Sequence, residues 1–443
     1  LNNAVSGLFA SSRSAELVSS NISNALTEGY GRRELSLAAR QVSGVTVNGV
    51  VRITDDVITG DRLLADASMG NASSQSDFYT DLERLLGVVL FDAAVSASEG
   101  LSQASDGIQA LREEADRDIT QLVDRLNTGL QNVTDLNADI LRAKASGRDV
   151  SALLDQRQQA IDSVSEIVPI QVLPRENGTA TLVTPTGAVL VDTRAAEFGF
   201  SGRNVITPDM TLSSGALSGL TQNGFDISTS AENGPISGGT LAAAFAVRDD
   251  LAVEAQTRLD AVARDLVERF QSPAADATLG PTDAGLFTDS GAFFDATNEV
   301  GLSARLDVNA LVDPAAGGAL WRLRDGLGAT VEGPVGNNAL LVNLGSVLAE
   351  LRVPASGDLS TGARSASALA GDLLSLVSVD RVNAENRESF SAARQNSLRD
   401  IELGQGINTD QELQKLLLIE QAYAANARVI TTASEMIDTL LSI

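Results

Sequence analysis

The last stretch of the chain, residues 406–443, most restricts what the whole can become. It reads GINTDQELQKLLLIEQAYAANARVITTASEMIDTLLSI, with neither Pro nor Gly from Thr409 onward. Alternating steps of three and four from Leu413 reach Leu416, Glu420, Tyr423, Ala427, Ile430, Ser434, Ile437 and Leu441, all apolar or aromatic except Glu420 and Ser434. This spacing is the seam of a coiled-coil helix. Gly404 and Gly406 break what precedes it, and Thr409 with Glu412 forms a capping-box pattern. The helix would be about 50 Å long at ~1.5 Å per residue. Burying seven seam side chains at ~1.5–3 kcal/mol each returns less than ordering about 30 backbone residues costs at ~1–2 kcal/mol each. The seam therefore needs a partner, either elsewhere in the chain or on another molecule.

The first residues repeat the theme. Leu1, Val5, Leu8, Ser12, Ala15, Ser19 and Ile22 follow four-three spacing, and Gly29 and Gly31 suit a helix stop. Two seams at opposite ends imply an antiparallel or coaxial pairing of the termini, with the rest of the chain looped between them.

Between the seams the texture alternates. Residues 35–58 are rich in Val and read as short strands or an extended connector. Helical spacing returns over 61–90, through Phe78, Leu82, Leu85 and Val89, and over 101–167, with Gly147 as a break. Residues 169–235 alternate as strands and turns, and Asn177-Gly178 is a two-residue hairpin signal. A long helix follows over 239–270, then a mixed stretch over 272–335 with a strand near 300–308, then helices over 338–351 and 363–403. The expected fold is an α+β multidomain one. A terminal coiled-coil domain (1–30 with 405–443) leads to a helical rod domain (31–167, 236–271 and 336–404) carrying an inserted β-rich outer domain (168–235 with parts of 272–335).

Composition narrows function. There is no Cys and no His. That removes thiolate chemistry, disulfides, the Ser-His-Asp triad and the commonest metal ligand. A net charge of −26 argues against nucleic acid or an anionic membrane surface as partner. No apolar run has the length of a membrane span, and residues 1–20 lack the pattern of a cleaved secretory signal. Leu1 occupies the first position in place of Met, so a few leading residues are expected to precede it. The acidic pairs Asp55-Asp56, Glu113-Glu114 and Asp249-Asp250 read as solvated surface. The glycine-rich pieces at 233–239 and 315–319 read as turns, and Trp321 as packing. No catalytic residue, cofactor site or metal site is visible.

Several motifs carry a resemblance. Ser6-Gly7-Leu8, Asn21-Ile22-Ser23-Asn24-Ala25 and Thr27-Glu28-Gly29-Tyr30-Gly31-Arg32 near the start resemble the signature of the flagellar axial proteins. So do Glu420-Gln421-Ala422-Tyr423-Ala424-Ala425-Asn426-Ala427-Arg428-Val429-Ile430 and Met436-Ile437-Asp438-Thr439-Leu440-Leu441 at the end. The family usually has Pro at the Glu28 position, and Ser and Gln where Gly31 and Arg33 stand. Tyr30, where rod and hook subunits usually carry Phe, points to the hook-associated branch that forms the first hook–filament junction. So do Leu153-Leu154-Asp155-Gln156-Arg157 and Gly234-Pro235-Ile236-Ser237-Gly238-Gly239-Thr240-Leu241 followed by Val247-Arg248-Asp249 and Leu259-Asp260-Ala261.

The resemblance implies a non-enzymatic structural adaptor between hook and filament, built as a ring of copies through the terminal helices. It implies extracellular placement in the flagellum after export through the flagellar type III channel. The implied partners are copies of itself, hook protein, the next hook-associated junction protein, and an export chaperone on the C-terminal helix. The chain is shorter than many members, so an outer domain is expected to be trimmed. Candidate assembly residues are Leu1, Val5, Leu8, Ala15, Asn21, Ile22, Asn24 and Tyr30 at one end. At the other they are Leu413, Leu416, Glu420, Tyr423, Ala427, Ile430, Ser434, Ile437 and Leu441. A hook or distal-rod subunit is the alternative of the same class, and a secreted carboxylate-dependent glycan hydrolase the alternative of another.

Overall fold

The computed structural model describes residues 2–25, 27, 29–39, 44–89, 94–229, 234–405 and 408–441. Helix α1 spans Asn2–Ser23 and the last helix, α11, spans Thr409–Leu441. They pack antiparallel, because Gly7 lies against Asn426 while Asn21 reaches Glu412. Small residues make this close approach possible. A Cβ added to Gly7 would sit 2.7 Å from Asn426 Nδ2. A two-stranded antiparallel hairpin, β1 (Arg32–Ala39) and β2 (Val45–Ile53), lies along α1 with a bulge at Ser36/Leu37.

The start of α11 differs from the capping box read in the sequence. Asn408 is the cap, its Oδ1 accepting from the backbone N–H groups of Asp410 and Gln411, each at 3.1 Å. Glu412 is thereby released from the cap and is buried against Asn21.

The body is organised on α3 (Ala94–Ala145). Helix α2 (Asp56–Val89) precedes it, capped by Asp55, whose Oδ1 accepts from Val57 and Ile58 at 3.0 and 3.2 Å. Asp55 is thus a helix cap rather than idle surface charge. Helix α4 (Ser151–Ser165) folds back on α3 through a turn in which Gly147 has φ +68°. The first half of α3 shares a core with α2, α6 (Ala252–Phe270) and α10 (Ala366–Gln405), through Phe78, Leu82, Ile108, Leu259 and Leu373. Its second half shares another core through Ile119, Leu126, Val133, Ile161 and Phe245.

Two three-stranded antiparallel sheets cover that second half. One is β3 (Gln171–Pro174), β4 (Ala180–Val183) and β5 (Val189–Val191); the other is β6 (Phe198–Gly199), β7 (Leu220–Gln222) and β8 (Phe225–Ile227). Leu182, Leu190, Phe198 and Leu220 lie in the same cluster as the helical residues. These strands are too short to bury a core of their own. The two-residue turn sits at Asn223-Gly224, where Gln222 pairs with Phe225 and φ is +53° and +82°. At the expected site, Asn177-Gly178, only Gly178 is left-handed (φ +90°), and the turn is longer.

The helix expected over 239–270 contains a π-helical turn, Val247–Leu251, between α5 (Gly239–Ala246) and α6. The strand expected over 300–308 shrinks to β10 (Leu306–Val308), paired with β9 (Phe287–Asp289). Before it, Gly301 at φ +74° opens the one-turn helix α7 (Leu302–Arg305), and the Asp260 carboxylate accepts from the backbone of Gly301 and Ser303. Two further helices, α8 (Arg322–Asp325) and α9 (Ala339–Ala349), complete the chain.

Candidate assembly interface

Asn21 is the polar centre of the terminal pair. It is 1% exposed and all its hydrogen-bonding capacity is used. Its Nδ2 donates to Arg33 O at 2.9 Å and to Glu412 Oε2 at 3.0 Å. Its Oδ1 accepts from Arg33 N at 3.0 Å and from the Tyr30 hydroxyl at 3.1 Å. The amide thus holds one residue of β1 the way a neighbouring strand would, and ties it to α11. Lys415 adds a second tie, with Nζ 2.6 Å from Glu34 Oε1 and 3.5 Å from Glu412 Oε1. Its hydrogen bond holds the Glu34 carboxyl below the ordinary glutamate range against a smaller opposing effect of burial.

Two motifs quoted separately in the sequence meet at Asp155 on α4. Its Oδ1 accepts from Gly31 N at 3.1 Å and Arg52 Nε at 2.7 Å, and its Oδ2 from Arg33 Nη2 at 2.6 Å. Arg52 also donates to Gly29 O at 3.1 Å, and the Arg33 guanidinium lies 4.7 Å from the centre of the Tyr30 ring. Gly31 leaves room for this, since a Cβ there would fall 2.2 Å from Arg52 Nε. Two residues on, Arg157 donates to Asn137 Oδ1 and Gly178 O, and burial with the neighbouring charge of Arg52 lowers it to about 10. The other quoted segment is internal. Arg248, in the π turn and fully buried, pairs with Asp116 and Asp249 between the rings of Phe200 and Phe245.

The stripe joining α1 to α11 is adjacent to the one read in the sequence. Gly7 meets Asn426 and Asn21 meets Glu412, and Ala4, Ala10 and Val18 are buried on α1, where residues are small or polar enough for close packing. Of the candidate residues, Asn21 is buried. Leu8, Ala15, Ile22, Asn24, Tyr30, Leu416, Ala427 and Ile430 are half-buried. Val5, Leu413, Glu420, Tyr423, Ser434 and Ile437 are exposed. Leu1 and the side chain of Leu441 lie outside the described residues.

The pair also leaves Phe9, Leu417, Leu418, Val429 and Met436 exposed, between 54% and 65%. Leu418, Val429 and Met436 lie close to whole turns apart and share one stripe of α11. The sequence reading did not select them, because they fall outside the strict three-four seam.

Elsewhere the acids serve the fold. Glu113 accepts from Ile206 N at 3.1 Å. A cleft of about 420 Å³ between α2, α3 and α5 has an apolar floor including Phe78, Leu111 and Val247 and an acidic rim including Asp77 and Asp118, both pushed up chiefly by burial. Among the described residues no cluster of three acids is placed to hold a metal ion, and no helix is long and apolar enough to cross a membrane.

Residues 88–279 match the family described as "Flagellar hook-associated protein FlgK helical domain", and residues 404–443 match "Flagellar basal body rod FlgEFG protein C-terminal". The chain is 26% identical to flagellar hook-associated protein 1 of Escherichia coli, over all of this chain and 99% of that one. It is 28% identical to the Salmonella typhimurium protein of the same name over 50% of each. A solved structure of the flagellar hook junction protein FlgK from Burkholderia pseudomallei aligns with a TM-score of 0.36 and 18% identity, over 54% of this chain and 47% of that one.

Proposed function

We propose that the chain is a member of the flagellar hook-associated protein family and the adaptor joining hook to filament, since residues 88–279 match that family's helical domain and similarity to flagellar hook-associated protein 1 runs over the whole chain. The family carries a structural role in the flagellum. In this reading copies of the chain form a ring through their terminal helix pairs, with hook protein on one side and the next hook-associated junction protein on the other. The chain reaches that position through the flagellar type III channel and ends outside the cell. Before assembly an export chaperone covers α11.

The observation that carries the reading is the apolar surface left by the terminal pair. Phe9, Leu418, Val429 and Met436 are each more than half exposed on helices that already have a partner. Apolar exposure concentrated on one element marks a contact surface. A neighbouring copy would bury it, and heterologous contacts of this kind propagate around a ring. The same surface explains why a chaperone would be needed.

The test is complementation of a strain lacking the protein by a Leu418→Asp, Met436→Asp variant. Both positions face solvent, so the isolated chain should keep its melting temperature. The expected result is export without retention, leaving hooks without filaments and filament subunits in the medium. Filaments of normal number and length would refute the proposal.

A further inference from the structure

The geometry points to α4 as the joint that sets the tilt of the terminal helix pair against the body, with Asp155 as its positioning residue. The chain crosses between the two units twice, outward through residues 24–55 and back through residues 402–409. The outward crossing is pinned to α4 directly and the returning one through α2. The outward one is held by Asp155, which takes Arg33, Arg52 and the Gly31 amide at once. The returning one leaves the end of α10, where Glu402 accepts from Thr59 Oγ1 at 3.0 Å and lies 2.5 Å from Arg62 Nε on α2, and Arg62 Nη2 in turn is 2.6 Å from Oδ1 of Asp162, two turns further along α4. Residues seven apart lie on one face of a helix, so the two carboxylates act side by side. A single attachment would let the pair pivot, whereas two fix an angle.

The attachment is continuous with the terminal pair itself. Glu412 on α11 accepts from Asn21 on α1, Asn21 brackets the backbone of Arg33, and the Arg33 guanidinium ends on Asp155. Every link is a hydrogen bond or ion pair of 3.0 Å or less. Asp155 is 8% exposed and the Arg33 and Arg52 side chains 18% and 13%, so water competes little for the central pairs. A carboxylate with two guanidinium partners and an amide in this setting is strongly held. Arg33 and Asp155 therefore matter for where the pair points rather than for whether it folds. The inference deepens the adaptor reading but is tested on the isolated chain, so its failure is separate from a failure to build filaments.

The chain has no cysteine, which allows site-directed spin labels. One pair of labels, on Asn132→Cys in α3 and Thr432→Cys in α11, spans the joint. A second, on Ser19→Cys and Thr432→Cys, lies within the terminal pair. All three positions are exposed. The unaltered joint should give one narrow distance distribution for each pair. Arg33→Gln and Asp155→Asn should each at least double the width across the joint and leave the width within the pair unchanged. Asp155→Glu, which keeps the charge, should restore most of the narrowness. The proposal is overturned if the width across the joint does not change in either variant. It is equally overturned if the unaltered joint is already broad, or if both distances broaden together, since Asp155 would then only hold the pair folded.

Discussion

At the residue scale the terminal pair depends on a few polar groups with partners far away in the chain. Asn21→Leu removes the Asn21 partner from Arg33 N–H, Arg33 C=O and Glu412 Oε2, at about 1–3 kcal/mol for each group. Amides of α11 near Glu412 should then exchange with solvent at least tenfold faster, read by hydrogen-exchange mass spectrometry. The pH response has a definite sign. Glu34 titrates below its ordinary value because Lys415 donates to its carboxylate. Its contribution to stability is complete above that ordinary value and is lost as pH falls through the lowered one. The effect is small and salt-sensitive, because both side chains are about 40% exposed. Carboxyl-carbon NMR should place Glu34 low in the native chain and return it upward in Lys415→Gln; an unchanged Glu34 in that variant would remove Lys415 as the cause. Asn21, Tyr30, Asp155 and Arg248 were all visible in the sequence as members of motifs. Their chemistry was not, because Asn21 and Glu412 are 391 residues apart and Arg52 and Asp155 are 103 apart.

At the element scale, periodicity located the long helices and the change to β texture after Pro169. It did not fix which stripe of α1 and α11 meets the other. A three-four count ranks positions by apolar character, whereas close helix approach selects small ones such as Ala4 and Gly7. Gly7→Leu should therefore separate α1 from α11 and lower the protection of both helices, although it adds apolar area. Turn chemistry was also only half legible. The Asn-Gly pairs at 177 and 223 carry the same local signal, and the pairing of the flanking strands decides between them. At Asn223-Gly224 both residues are left-handed. Gly224→Val should cost ~1–2 kcal/mol of stability from backbone strain alone, measured by chemical denaturation. The π turn at Val247–Leu251 had no signal in a pattern that reads as continuous helix. It carries the fully buried Arg248, paired with Asp116.

At the scale of the whole molecule, the chain is a helical body with two short sheets on one half and its joined termini on α4. Leu182, Phe198 and Leu220 share a core with α3, α4 and α5. Short strands with one apolar face have nowhere else to bury it. The termini carry the proposed function, since they combine an internal polar lock at Asn21 with an uncovered apolar stripe on α11. The most direct measurement is a density map of the assembled hook–filament junction in which side chains can be traced. The account predicts a ring of this chain between hook and filament, with Leu418, Val429 and Met436 buried under a neighbouring copy. A junction in which those three side chains face solvent, or in which this chain is absent, would contradict it.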